Sequence, residues 1–355
     1  MSRRQRGVAL LIVMLMLSLM VTIAASITER SGKAWQRTSN LLNRTQARWY
    51  ALGAEALIAS TLQRDALDSP EITFIGQSWS KVDHQQMADG SEIRAQVQDG
   101  QACLNLNALS PPKKPAPANS NGGNTSASGN TSGNSNRSET SSPPKVGGGD
   151  QEHGPYAAQV FRQLLMVLGE DPKHADAVTD AVRDWLDEDT EPLMNGAEDD
   201  SYANFHPGNQ RMTDVTELRA VLGVNAGLYR RLLPYVCVLP VDKLVININT
   251  LTPEHAPLLS ALFRGEVSID GAERILTQRP PQGWRNLKDF MAASGLPENV
   301  KNGAQQVLAV KSDWFFADIQ IRVDDSEFYQ RSLFHRGTQI EVVQRQYGGY
   351  RTVNP

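Results

Sequence analysis

The chain has 355 residues, with 35 basic and 39 acidic side chains and a formal net charge of −4. That length accommodates two domains besides a membrane anchor. The acidic balance excludes a broad basic surface for nucleic acid, and it says little about protein partners.

The N-terminus reads MSRRQRG and then runs without a charge from Val8 to Ile27. Twenty helical residues rise about 30 Å, enough to cross the hydrocarbon core of a bilayer. Arg3, Arg4 and Arg6 belong on the cytoplasmic side, which sends the remainder across the membrane. Ser18, Thr22 and Ser26 recur every four residues and share one helix face. A secretory signal peptide would have a shorter apolar region and a small-x-small cleavage site. Ala24 and Ser26 imitate such a site, yet the helical character continues beyond them. The pattern predicts one nearly continuous helix to about Leu67. Trp35, Leu42, Trp49 and Ala56 are seven apart, and Thr45, Leu52 and Ala59 form a second row. This stripe is expected to be covered by a small sheet, with coiled-coil pairing as the alternative.

Strand signals follow at Glu71–Ile75, at SEIRAQVQ and at ACLNLNAL, with Asp89-Gly90 and Asp99-Gly100 as turns. The last two stretches, joined by Asp99-Gly100, read as a hairpin. Residues 111–150 carry almost no large apolar side chain and cannot offset the entropy of ordering themselves, so they read as a flexible loop. Helical spacing then marks Tyr156–Leu168, Ala175–Leu186, Thr213–Leu222 and Ala226–Leu233. Thr216 or Asp214 is positioned to cap the third of these. LNLNAL at 104–109 returns as ININTL at 246–251, and TDVTELRAVLGV at 213–224 resembles RNLKDFMAASGL at 285–296. The order matches, so the region reads as two copies of one unit, a strand followed by small helices. ININTLTPEHAPLLSALF also resembles helix-hairpin-helix or SAM-like modules, without the glycines by which some of these meet phosphate. The tail alternates again in DIQIRV, YQRSLFHR and QIEVVQRQ, predicting three antiparallel strands.

The densest chemistry lies in DWLDEDTEPLMNGAEDDSY, residues 184–202, with eight carboxylates. Such a run repels itself unless it is solvated or neutralised. Calcium takes six to eight oxygens, and Asp187, Asp189 and Glu198 together with turn carbonyls can supply them. Gly196 permits a sharp reversal. The spacing is not that of an EF-hand, and a solvated acidic loop is the plainer alternative. Cys103 and Cys237 allow one disulfide, or two separately buried thiols. The six histidines form no HExxH, and no nucleophile elbow or phosphate loop appears, so catalysis is not expected.

Gly7, set directly between the basic leader and VALLIV, resembles the class III signal of type IV prepilins and type II secretion pseudopilins. The resemblance implies cleavage between Gly7 and Val8 by a prepilin peptidase, methylation of the new N-terminus, and a helix retained in the mature protein. Most members carry a glutamate at the fifth mature position, where this chain has Ile12. The subunit type lacking it is the large minor pseudopilin K, which looks like the tip of the pseudopilus. The implied fold is α+β, a long N-terminal helix packed on an antiparallel pseudopilin sheet, with a large inserted all-helical lobe of SAM-like or helix-hairpin-helix type. The expected segments are the leader 1–7, membrane helix 8–27, its periplasmic continuation 28–67 and the first part of the sheet 68–109. The loop 111–150, the lobe 155–315 and the closing strands 316–355 complete the chain. The resemblance also implies one or two structural calcium ions in the lobe, extending the ligand set to Asp187, Asp189, Glu198, Asp199 and Asp200. Implied partners are the minor pseudopilins I and J, the major pseudopilin, the inner-membrane assembly platform and secreted cargo. Implied placement is a single-pass bacterial inner-membrane protein, most of it periplasmic. A calcium-dependent binding module for exported proteins and a DNA-uptake pseudopilin are the competing functions.

Overall fold

The computed structural model describes residues 6–81, 83–110, 154–296 and 303–348. Residues 1–5 of the expected leader and the low-complexity segment 111–150 lie outside the described residues. In chain order the elements are α1 (Arg6–Asp68), β1 (Asp83–Gln86), β2 (Glu92–Asp99), β3 (Leu104–Asn105), α2 (Tyr156–Val167) and α3 (Pro172–Leu186). Then come α4 (Ala226–Leu232), β4 (Val236–Cys237), β5 (Ile246–Asn247), α5 (Ala256–Leu262), α6 (Ile269–Thr277) and α7 (Leu287–Ala293). The closing elements are β6 (Leu308–Ala309), β7 (Trp314–Val323), β8 (Ser326–Arg336) and β9 (Ile340–Tyr347). They divide into two compact units. The first comprises Met1–Gly100, Pro281–Gly283 and Val310–Pro355, and the second Gln101–Pro280 and Trp284–Ala309.

In the first unit α1 spans 63 residues, about 95 Å at the usual rise. Its apolar segment from Val8 is long enough to cross a membrane and is wholly exposed. Further along, Ala47, Ala51, Ala54, Ile58 and Leu62 recur at helical spacing and are buried. They pack with Trp79, Ile93, Ala95, Val97, Phe315, Ile319, Ile321 and Phe334 on an antiparallel sheet ordered β1-β2-β7-β8-β9. Small alanines let the helix backbone lie close to the sheet. The tail's alternation is realised: β7 buries Phe315, Ala317, Ile319, Ile321 and Val323, every second residue. Glu55 is the polar tie between helix and sheet. It is 4% exposed, its Oε1 accepts from Gln330 Nε2 and Ser332 Oγ at 2.6 Å each, and Arg345 grips both carboxylate oxygens at 2.8 Å.

Three expectations change here. The row Trp35, Leu42, Trp49, Ala56 is not the face that the sheet covers; all four are exposed, Trp35 at 76% and Trp49 at 69%. At 100° per residue they lie roughly opposite the buried alanine face. Glu71–Ile75 forms no strand, although Thr73 N–H donates to the Val310 carbonyl at 2.8 Å. The hairpin across Asp99-Gly100 does not form. β2 pairs with β1 and β7, whereas β3 belongs to the second unit, so residues 101–109 lie outside the sheet. The glycine has another reason: a Cβ at Gly100 would come within 3.2 Å of the Trp314 backbone oxygen, to which its N–H donates at 2.8 Å. Apart from Pro281–Gly283, the chain returns to the first unit at Val310, and β7 begins at Trp314, slightly before the expected Phe316.

The second unit holds the repeat, and both copies use one device. β3 pairs in parallel with β4, and β5 pairs in parallel with β6. After each short strand an asparagine reaches across. Asn107 donates from Nδ2 to the Met212 carbonyl at 3.0 Å and accepts the Met212 N–H at 2.9 Å. Asn249 does the same to Trp284, at 2.9 and 2.8 Å. The preceding asparagines Asn105 and Asn247 accept the N–H two residues on, at 3.3 and 2.9 Å. All four are buried. A two-residue ladder is too short to hold itself, and these amides add bonds from each strand's end to the backbone of a separate segment, at Met212 and at Trp284. Thr213–Leu222 is a 3₁₀ turn at Val215–Arg219 instead of a full helix, capped by Asp214 with Glu217 reaching back.

Candidate functional site

The acidic loop begins where α3 ends. Asp187 is the C-cap residue, and its N–H donates to the Arg183 carbonyl at 3.1 Å. The loop is organised by Asp184, which is fully buried. Its carboxylate accepts from Leu193 N–H at 3.2 Å and Ala197 N–H at 2.7 Å. A Cβ at residue 196 would stand 1.8 Å from Asp184 Oδ2, so only glycine lets the loop fold onto that carboxylate. One turn earlier Asp180 accepts from Asn195 Nδ2 at 3.1 Å. Behind the loop, Trp185, Tyr202 and Phe205 form an edge-packed aromatic wall with centroids 5.1–6.3 Å apart. The Tyr202 hydroxyl accepts from Leu222 N–H at 3.1 Å.

The remaining carboxylates divide into two groups. Glu198 is 4% exposed, and both of its oxygens are buried without a hydrogen-bond partner; Asp187 Oδ1 is in the same condition. Asn209 stands near Glu198, but its Nδ2 donates to the Asp189 carbonyl at 3.1 Å. Asp189, Asp199 and Asp200 are exposed. Asp189 Oδ1 accepts from Glu191 N–H at 3.0 Å, and Asp199 lies 3.0 Å from His206 Nδ1. Burial first, then the charges of Asp189, Asp184 and Glu198, push the Asp187 carboxyl up to about 7. Burial pushes Asp184 up to about 6 against the two backbone N–H bonds that it accepts. Glu198 is raised by burial and then by Asp184, Asp199 and Asp189, with the nearby Asn209 amide opposing. Among the described residues no three His, Cys, Asp or Glu side chains converge as a ready-made metal site. Of the five expected ligands, Asp187 and Glu198 therefore face inward and share a field, while the other three line the outside of the loop. Asp184 and Asp180 were not among the expected ligands. Their signal was the spacing of Asp180 and Asp184, which sets two carboxylates on one face of α3 just before Asp187 at its C-cap.

Cys103 and Cys237 are joined, with S–S 2.07 Å and Cα atoms 5.8 Å apart, beside the β3–β4 ladder. Of the two residues expected to flank a cleavage site, Gly7 lies in the first turns of α1 and Val8 is exposed.

Family models described as type II secretion system protein K match residues 102–241 and 246–311. The chain is 80% identical over 356 residues to type II secretion system protein K of Dickeya chrysanthemi, covering all of both chains. The chain belongs to the type II secretion system protein K family. The protein K of Klebsiella pneumoniae is 41% identical over 355 residues, covering 99% of this chain and 98% of its own. Among solved structures, the crystal structure of the GspK-GspI-GspJ complex from enterotoxigenic Escherichia coli contains a chain with 28% identity and a TM-score of 0.71. That likeness covers 88% of this chain and all of the other. A protein K fold thus comprises the long helix on its antiparallel sheet and the inserted helical lobe. The two family-model segments fall on the two copies of the asparagine-clamped unit.

Proposed function

We propose that this chain is a minor pseudopilin at the tip of a type II secretion pseudopilus. It joins partners of the I and J kind, caps or initiates assembly, and supports export of folded proteins across the outer membrane. One observation carries the assembly reading: Leu42, Trp49, Gly53 and Ala56 form an exposed row on α1, facing away from its own sheet. Trp49 stands about 33 Å along the helix from Ile27, too far to be covered by lipid. Apolar positions seven apart suit a neighbouring helix running alongside. The similar solved chain was crystallised with GspI and GspJ, which supports the same kind of partner here. The test is co-expression of the mature chain with the I and J subunits of its own system. A stable complex after detergent extraction is expected, and failure of the three to co-purify would refute the reading.

The exposed apolar segment Val8–Ile27 supports a single-pass inner-membrane anchor with the remaining chain in the periplasm. Mass spectrometry should find residues 1–7 removed and Val8 methylated; a chain beginning beyond Ser26 would refute retention of the helix.

The loop supports a structural calcium site. The buried, unpartnered oxygens of Glu198 and Asp187 fit a hard cation, and the donor set is all oxygen. Asp187 and Glu198 would hold the ion from inside, with Asp189, Asp199 and Asp200 drawn in from the exposed side. A bound cation supplies positive charge that relieves the mutual repulsion of these groups, and its binding energy stabilises the lobe. Calcium should raise the melting temperature and a chelator should lower it. No shift, with no calcium in the purified protein, would remove the site.

A further inference from the structure

We infer that Arg30, Lys33 and Arg37 form a docking surface for anionic phospholipid headgroups. This rests on the membrane-anchor reading of Val8–Ile27. The helix continues without a break past Ile27, and residues 28–38 are exposed on every side. Among the described residues no side chain pairs with Arg30 or Arg37, while Lys33 meets only Glu29 of its own helix, at 2.6 Å. At 100° per residue the three cations fall within about 60° of one another, a single basic stripe.

Height decides what the stripe meets. Counted from Ile27, Arg30, Lys33 and Arg37 stand about 4, 9 and 15 Å along the axis. Helical side chains lean toward the N-terminus, which here is toward the membrane, so the long cationic chains reach down several ångströms further. That brings the charged ends of Arg30 and Lys33 into the headgroup layer, which extends about 5–8 Å beyond the hydrocarbon on each side, and that of Arg37 to its outer edge.

Topology supplies an independent argument. Basic residues on the exported flank oppose the orientation signal of Arg3, Arg4 and Arg6, which they equal in number. A feature that works against insertion calls for a use after it, and anionic headgroups supply the complementary charge.

The test reconstitutes the mature chain in phosphatidylcholine bilayers containing a trace of spin-labelled phosphatidylglycerol or spin-labelled phosphatidylcholine. The motionally restricted signal gives the preference for one lipid over the other. At low salt, phosphatidylglycerol should be preferred about fivefold, falling toward unity near 1 M salt. The triple variant R30Q/K33Q/R37Q should lose the preference. R44Q/R48Q, about 25–30 Å above the membrane segment, should keep it. Absence of preference in the parent chain, or its persistence in the triple variant, would overturn the proposal; persistence is the outcome if these residues serve an acidic protein partner instead. An alkaline wash of the vesicles separates the two readings. A chain released by it overturns anchor and docking together, whereas a retained chain without preference overturns the docking alone.

Discussion

Asn107→Asp changes one atom and tests the clamp on which the first copy of the repeated unit depends. The amide nitrogen donates to two carbonyls, Met212 at 3.0 Å and Leu239 at 2.8 Å, in a fully buried place. Aspartate keeps the acceptor that receives the Met212 N–H but offers nothing to these carbonyls. Each buried group left unmade costs about 1–3 kcal/mol, so losing two should cost about 2–6 kcal/mol near neutral pH. The cost should shrink in acid, because a protonated carboxyl regains one donor. Urea unfolding of the mature chain in detergent, followed by near-ultraviolet circular dichroism, measures it. Asn249→Asp should show the same sign, since it removes the equivalent donor to the Trp284 carbonyl. A loss below about 1 kcal/mol for Asn107→Asp, or one that grows in acid, would refute the reasoning.

Replacing Cys103 and Cys237 by alanine should cost the lobe about 2–5 kcal/mol in the same assay, because the bond closes a separation of 134 residues. Stability of the lobe should also fall as pH drops below about 6.5, through His255. Burial lowers its pKa, with Arg279 adding and Glu254 opposing, and its Nδ1 accepts the Thr252 N–H at 3.1 Å. A depressed folded pKa gives stability present above the unfolded value and lost as protons are taken up. His255→Gln should flatten that part of the melting-temperature profile, and an unchanged slope would refute the assignment. Trp49→Asp should leave the chain's own stability within about 0.5 kcal/mol, as for an exposed surface position. It should sharply weaken co-purification with the I and J partners, whereas Arg64→Gln, elsewhere on the exposed helix, should not.

Periodicity made several elements legible in the sequence. The uncharged run Val8–Ile27, the helix to Asp68 and the alternating tail strands are local patterns, and the fold realises them. The repeat was legible because the same asparagine pair ties each short strand to the backbone of a separate segment, at Met212 in one copy and Trp284 in the other. Three-dimensional packing decided what local signals could not. Trp35, Leu42 and Trp49 are the conspicuous residues of α1, yet the sheet takes the alanine face, where small side chains permit close approach. Gly100 has the sequence of a hairpin turn, but its missing Cβ serves the approach of Trp314, a residue 214 positions further on. In the acidic loop, composition alone ranks all eight carboxylates alike. Only burial distinguishes Asp184, which folds the loop through backbone N–H groups, from Glu198 and Asp187, whose inward oxygens lack partners, and from the exposed Asp189, Asp199 and Asp200. Solvation is a property of the folded surroundings, so which carboxylates turn inward follows from tertiary structure, while the presence of an acidic loop follows from sequence.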